Sequence, residues 1–216
     1  MNGQGDLTPM TQAVLVFFAY VVGTIPLAAI VVRLVAGSKK WPETELGWDA
    51  IEVTRAFGLW PAGIVVMALT FLRGGVIAYF LSPVGVHVWA SALGWELHVV
   101  PAGLCWMGAF ALLMGECFTP FRAFKGGRGI EGLLGVLTAL SPWAALASVA
   151  GFGLAYLKTT TAELASLTGL MVATVVHLVL IRKGTPEWVG ILILGLIFFR
   201  HHLDLDRLLQ RRSRAE

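Results

Sequence analysis

Five predominantly apolar runs, at about 10–35, 58–82, 99–118, 163–181 and 188–203, constrain this chain more than any other feature. Each approaches the roughly 20 residues that a helix needs to cross a hydrocarbon core. With 57% hydrophobic and only 13% charged residues, and a mean hydropathy of +0.78, the composition lies far from that of a soluble domain. The expected fold is an all-α integral membrane protein, organised as one membrane domain over residues 1–216. The first run has no basic stretch before it, exceeds the length of a signal-peptide core and lacks a cleavage-site pattern, so it reads as a transmembrane helix.

Residues 129–157 are too long for one comfortable span and too short for two full ones, and Pro142 lies near their middle. Basic residues arbitrate. None precedes Arg33, whereas Lys39 and Lys40 follow the first run, which places the N-terminus outside and the first loop in the cytoplasm. Arg207, Arg211, Arg212 and Arg214 put the C-terminus inside. An outside start and an inside finish need an odd number of crossings. The 129–157 stretch is therefore expected to turn at Ser141-Pro142 and contribute two short helices, giving seven transmembrane helices. The 37–57, 119–128 and 158–162 loops then share the cytoplasmic face of the plasma membrane with the tail.

The formal net charge of +3 would point to nucleic acid in a soluble protein. Here the cations cluster beside apolar spans, and membrane orientation explains them without a nucleic-acid partner. Cys105 and Cys117 fall on one apolar segment, roughly 18 Å apart along a helix axis, too far to bridge. No Cys/His cluster has metal-ligand spacing, and neither a Walker-type loop nor a Gly-x-Ser-x-Gly elbow occurs. The longest polar segment, Gly37 to Phe57, holds Lys39, Lys40, Glu43, Glu45, Asp49, Glu52 and Arg55 and is compatible with a solvated connector.

The string Phe124-Lys125-Gly126-Gly127-Arg128-Gly129 sets three glycines and two cations between two apolar runs. Glycines let backbone amides turn toward a bound oxyanion, and a helix opening near Gly129 adds its positive dipole end. Lys125 and Arg128 complete a phosphate-sized site. The alternative is a glycine-rich turn whose cations only enforce topology.

The segment Gly115-Glu116-Cys117-Phe118-Thr119-Pro120-Phe121-Arg122-Ala123-Phe124-Lys125-Gly126-Gly127-Arg128-Gly129-Ile130 resembles the G-H-x-x-P-x-F-x-x-F-K-G-G-K-G-V signature of the bacterial acyl-phosphate:glycerol-3-phosphate acyltransferases (PlsY type). Tyr20-Val21-Val22-Gly23-Thr24-Ile25-Pro26 is similar to that family's opening Y-x-x-G-S-I-P. Phe199-Arg200-His201-His202 with Arg207-Leu208 is similar to its closing L-R-H-x-x-N-I-x-R-L. The resemblance implies a seven-helix membrane enzyme with a cytoplasmic active site. It also implies transfer of a fatty acyl group from acyl phosphate to glycerol 3-phosphate, with no cofactor, metal or covalent enzyme nucleophile. Membrane lipids surround such a protein.

Carried over position by position, Arg55 matches the arginine that ends the family's first motif. Lys125, Gly126, Gly127 and Gly129 match the second, with Arg128 in place of lysine. Arg200 and His201 match the third, and Arg73-Gly74 takes the place of a Lys-Gly pair. Arg55, Arg73, Lys125, Gly126, Gly127, Arg128, Gly129, Arg200 and Asp204 are expected to bind the substrate and its phosphate, with His201 and Glu116 as catalytic candidates, and Arg55, Lys125, Arg128, Arg200 and His201 are expected to share one cavity. An arginine inside an apolar run is a functional candidate, although a long side chain also snorkels.

The chain departs from the signature in the first motif, where Thr44-Glu45-Leu46-Gly47, Asp49, Ile51 and Glu52 replace glycine, serine, asparagine and threonine positions. Glu116 stands for a histidine, Thr70 for an aspartate, Asp204 for an asparagine and Glu163 for a serine. Carboxylates repel phosphate unless they are protonated, paired with arginine or turned away. Three readings are compatible with this pattern. They are the unaltered glycerol 3-phosphate reaction, the same donor with another small acceptor oriented by a carboxylate such as Glu116, and a non-catalytic protein that binds an anionic lipid or protein partner. In the last, Arg200 would pair with Asp204 one helical turn on.

Overall fold

The computed structural model describes residues 6–36, 49–58, 60–95, 99–101, 103–122, 124, 126–159, 162–180, 189–193, 195–200 and 202, with the side chains of residues 52, 55–57, 122, 163, 178 and 180 left aside. The described chain is helical. Its elements are α1 (Pro9–Thr24), α2 (Leu27–Ala36), α3 (Ala50–Phe57), α4 (Trp60–Phe80), α5 (Pro83–Ala92), α6 (Gly103–Cys117), a 3-10 turn (Pro120–Arg122), α7 (Ile130–Leu140), α8 (Pro142–Thr159) and α9 (Ala162–Leu180). A last helical stretch, α10, follows at Val189–Arg200.

Hydroxyl-proline pairs start three of these helices. The Thr8 and Ser82 side chains accept from the amides of Thr11 and Gly85, capping α1 and α5, while Pro9 and Pro83 occupy first-turn positions where no amide is missed. At Ser141-Pro142 the chain breaks between α7 and α8, as the sequence predicts. Two features are not legible in the apolar runs. The first run is split at Ile25-Pro26 into α1 and α2, because proline cannot donate to the preceding turn. The segment after Ser82, which falls outside the five apolar runs, forms α5, which folds back so that Trp89 stacks on Phe80 and its indole N–H donates to the Phe80 carbonyl at 3.1 Å.

Helix α6 forms the centre. Leu104, Ala109, Leu112, Leu113 and Cys117 are fully buried along it, and it packs against α1, while α4 packs against α7 and α8 against α9. Small residues permit these approaches, as is common where helices meet in a bilayer. A side chain at Gly135 would strike the Phe71 carbonyl of α4, and one at Gly74 the Gly132 carbonyl of α7. Gly135→Ala is accordingly expected to cost about 1–3 kcal/mol by forcing the two helices apart. Thermal unfolding of the purified protein in detergent would measure this, and an unchanged midpoint would contradict the packing.

The periphery is apolar. Phe17, Leu34, Leu72, Leu146, Leu154 and Phe198 are more than half exposed, an arrangement that suits lipid contact. Two stretches, Pro9–Val35 and Trp60–Phe80, are long and apolar enough to cross a membrane, whereas Gly103–Cys117, Ile130–Leu140, Leu164–His177 and Val189–Arg200 are shorter apolar helices.

Candidate functional site

The loop between α6 and α7 is built into the protein rather than hanging from it. Its amides are spent on capping: Gly126 N–H donates to the Cys117 carbonyl at 3.1 Å and Gly127 N–H to the Glu116 carbonyl at 3.0 Å. The sequence pattern alone points these two donors toward an oxyanion. The structure instead gives them to the last carbonyls of α6, which a helix end must satisfy somehow. Glycine is required at 126 because a Cβ there would collide with the Glu116 carbonyl. Gly129 takes the left-handed conformation, φ +76°, that opens α7.

Arg200 of α10 holds the loop from the other side. Its Nε donates to the Gly127 carbonyl at 3.3 Å and an Nη to the Gly126 carbonyl at 2.8 Å, in a site where the side chain is buried. Expected from the sequence to touch phosphate, Arg200 uses these donors to fix backbone. Arg128, the next residue of the loop, is also buried and places Nε 3.3 Å from Oδ2 of Asp49, immediately before α3.

Arg73 of α4 reaches the same end of α6. It forms a 2.7 Å ion pair with Glu116 Oε2 and donates to the carbonyls of Gly23 and Ile25, at 3.2 and 3.0 Å, where α1 breaks into α2. Thr119 Oγ1 donates to the Thr24 carbonyl at 2.8 Å in the same region. The Glu116 carboxylate also lies against Gly132 of α7. A cleft of about 40 Å³ runs between these groups, lined by Thr24, Thr70, Arg73, Glu116, Thr119 and the Gly126-Gly127 backbone among others. On the α7 and α8 side lies a larger, mostly apolar groove of about 440 Å³, lined by Met67, Phe71, Leu134, Val149 and Phe152 together with Ala50, Glu131 and Ser166.

The structure thus brings Arg73, Glu116, Gly126, Gly127, Arg128, Gly129 and Arg200 around one loop. Arg55 lies on α3, whose first residues meet Arg128. Lys125, His201 and Asp204 lie outside the described residues, as does the suggested Arg200–Asp204 pairing. Thr119 and Glu131 are not singled out by sequence. Thr119 carries only its place in the glycine-loop segment, and Glu131 only its place in the first turn of a helix.

Buried arginines brace a glycine loop at the end of an apolar helical bundle, an arrangement that suits a helical protein of the membrane. The model of the glycerol-3-phosphate acyltransferase family matches residues 13–211, and the chain belongs to that family. A glycerol-3-phosphate acyltransferase of Anaeromyxobacter dehalogenans (strain 2CP-C) is 31% identical over 200 residues, covering 92% of this chain and 94% of the relative. One from Bacillus velezensis is 28% identical, covering 94% and 96%. Among solved structures, PlsY (YgiH), an integral membrane glycerol 3-phosphate acyltransferase, superposes in its glycerol 3-phosphate form with a TM-score of 0.74 at 28% identity, over 94% of both chains. Its lysophosphatidic acid form gives 0.72 at 29% identity, over 94% of this chain and 93% of that one. The all-helical fold is that of this integral membrane enzyme.

Proposed function

We propose that this chain transfers a fatty acyl group from acyl phosphate to the sn-1 hydroxyl of glycerol 3-phosphate, forming lysophosphatidate and inorganic phosphate for phospholipid synthesis. The observation that carries this reading is the 126–129 loop, held rigid between buried Arg200 and the end of α6 with Arg128 at its exit. Membership of the acyltransferase family over residues 13–211 supports it. So does the structural match to a protein seen with both glycerol 3-phosphate and lysophosphatidic acid.

In the reaction the hydroxyl oxygen bonds to the acyl carbonyl carbon, the carbon–oxygen bond to phosphate breaks, and the departing phosphate takes the hydroxyl proton. The protein's task is to hold two anions together and align hydroxyl with carbonyl, which supplies several kcal/mol of the barrier. Arg55, Lys125 and His201 provide the cationic surroundings, with α7 opening at Gly129, while Arg128 pairs with Asp49. Asp204 belongs to the substrate-binding set, and Glu116 fixes Arg73. Two of the carboxylates that depart from the family signature, Glu116 and Asp49, are paired with Arg73 and Arg128. The acyl chain takes the apolar groove beside α7 and α8.

The protein crosses the plasma membrane seven times, with its N-terminus outside and its C-terminus and site on the cytoplasmic side, a reading that Lys39, Lys40 and the arginine-rich tail support. Inside-out membrane vesicles containing the protein are expected to convert acyl phosphate and glycerol 3-phosphate to lysophosphatidate and phosphate without permeabilisation. Phosphate release without lysophosphatidate would redirect the assignment to another acceptor. No turnover of acyl phosphate would sink it.

A further inference from the structure

The start of α3 meets Arg128, in the loop that leads into α7, and Glu131, in the first turn of α7. Asp49, the residue before α3, is 95% buried and forms the 3.3 Å ion pair with Arg128. Its carbonyl also accepts from the Val53 amide at 3.0 Å, closing the first turn of α3. In the first turn of α7, the Glu131 carboxyl group faces the backbone of Ala50, the first residue of α3, and Ala50 and Glu131 line the same groove. A carboxylate facing the first amides of a helix satisfies donors that the helix cannot.

Helix α3 depends on its packing. It is only eight residues long, below the length at which a helix persists on its own. Its other packing is against α4, where Val53 sits in a small cluster with Ala62 and Val66, and against α2 through Val31 and Val32. Both ends of the ion pair lie where the chain departs from the family signature, at Asp49 and Arg128.

We infer that Asp49, Arg128 and Glu131 form a clamp that docks α3 onto the glycine loop and thereby positions Arg55, so that Asp49 and Glu131 set the affinity for glycerol 3-phosphate without touching it. The inference rests on the proposed reaction for its kinetic consequence and on geometry alone for its structural one. Asp49 and Glu131 are positioning residues. Asp49 carries its negative charge near an anion site, yet it is turned to Arg128 of its own protein.

The test uses the full-length protein in detergent with Asp49→Asn, which keeps shape and removes the charge facing Arg128, and Glu131→Leu, which removes the acceptor facing Ala50. Amide hydrogen exchange across 50–57 is expected to accelerate about tenfold or more in each variant, with α8 and α9 unaltered. The KM for glycerol 3-phosphate is expected to rise about tenfold while the KM for acyl phosphate stays within about twofold. Asp49→Glu, which keeps the charge, is expected to restore part of both if Asp49→Asn is too unstable to purify. Unaltered exchange in α3 overturns the clamp, and equal rises in both KM values overturn its role in acceptor binding. Faster exchange in a protein whose wild type turns over no acyl phosphate would uphold the clamp and refute the catalytic reading instead.

Discussion

Arg73→Met is expected to destabilise the protein by about 3–5 kcal/mol, because it strands the buried carboxylate of Glu116 without its cation. The same guanidinium donates to the Gly23 and Ile25 carbonyls at the α1–α2 break, so the variant also removes donors from a backbone bend. Glu116→Gln should cost less, since glutamine still accepts from Arg73 and the arginine keeps its two carbonyls. The ordering separates a structural from a catalytic role. If Glu116 acted as a base, Glu116→Gln would abolish turnover while leaving the unfolding midpoint near wild type. The expected result is a lowered midpoint with partial activity, and Arg73→Met with Glu116→Leu should recover much of the stability but not all of it. Thermal unfolding in detergent beside kcat would decide, and a loss below about 1 kcal/mol in Arg73→Met would show that the pair is solvated like a surface bridge.

Arg200→Lys is expected to lower kcat/KM by about 100-fold, the penalty for displacing reacting groups by roughly an ångström. The charge is conserved in this variant, so the loss is one of geometry. Arginine spans the Gly126 and Gly127 carbonyls with two donors set by its planar group, whereas a lysine ammonium is a point donor on a flexible stem. The loop then relaxes, and Lys125 and Arg128, which flank these glycines, lose their spacing. Had Arg200 served only to attract phosphate, lysine would retain most of the activity. A kcat/KM within about threefold of wild type would establish that simpler role.

The loop is legible as a site in the sequence because glycine spacing, cations and apolar flanks coincide within six residues. Its internal wiring is not. The amides of Gly126 and Gly127 look available in one dimension, but the end of α6 supplies two carbonyls at hydrogen-bonding distance, and a helix terminus claims nearby donors first. The turn at Ser141-Pro142 is visible through its proline. Pro26 is equally visible and still passes inside a long apolar run, because hydropathy does not report a bend. Ser82-Pro83 carries the start signal of α5, yet the segment is short and the apolar count dominates the reading.

The carboxylates illustrate the division most directly. Sequence alone raises Asp49 and Glu116 as a charge problem at a phosphate site, and three readings stay open because nothing local says where their charge goes. Their partners are distant in the chain, Arg73 lying 43 residues before Glu116 and Arg128 on the far side of α4 and α6 from Asp49. A helix relates only residues three or four apart, so pairs of this separation exist only once α4, α6 and α7 have packed. The sequence by itself determined a membrane-embedded helical chain, the glycine loop and the family, since each is written in contiguous residues whose period, length or spacing carries the physics. The tertiary structure alone decided that the loop is braced by Arg200 and that Asp49 and Glu116 face arginines, because close packing through Gly74, Gly132 and Gly135 brings those groups within hydrogen-bonding distance.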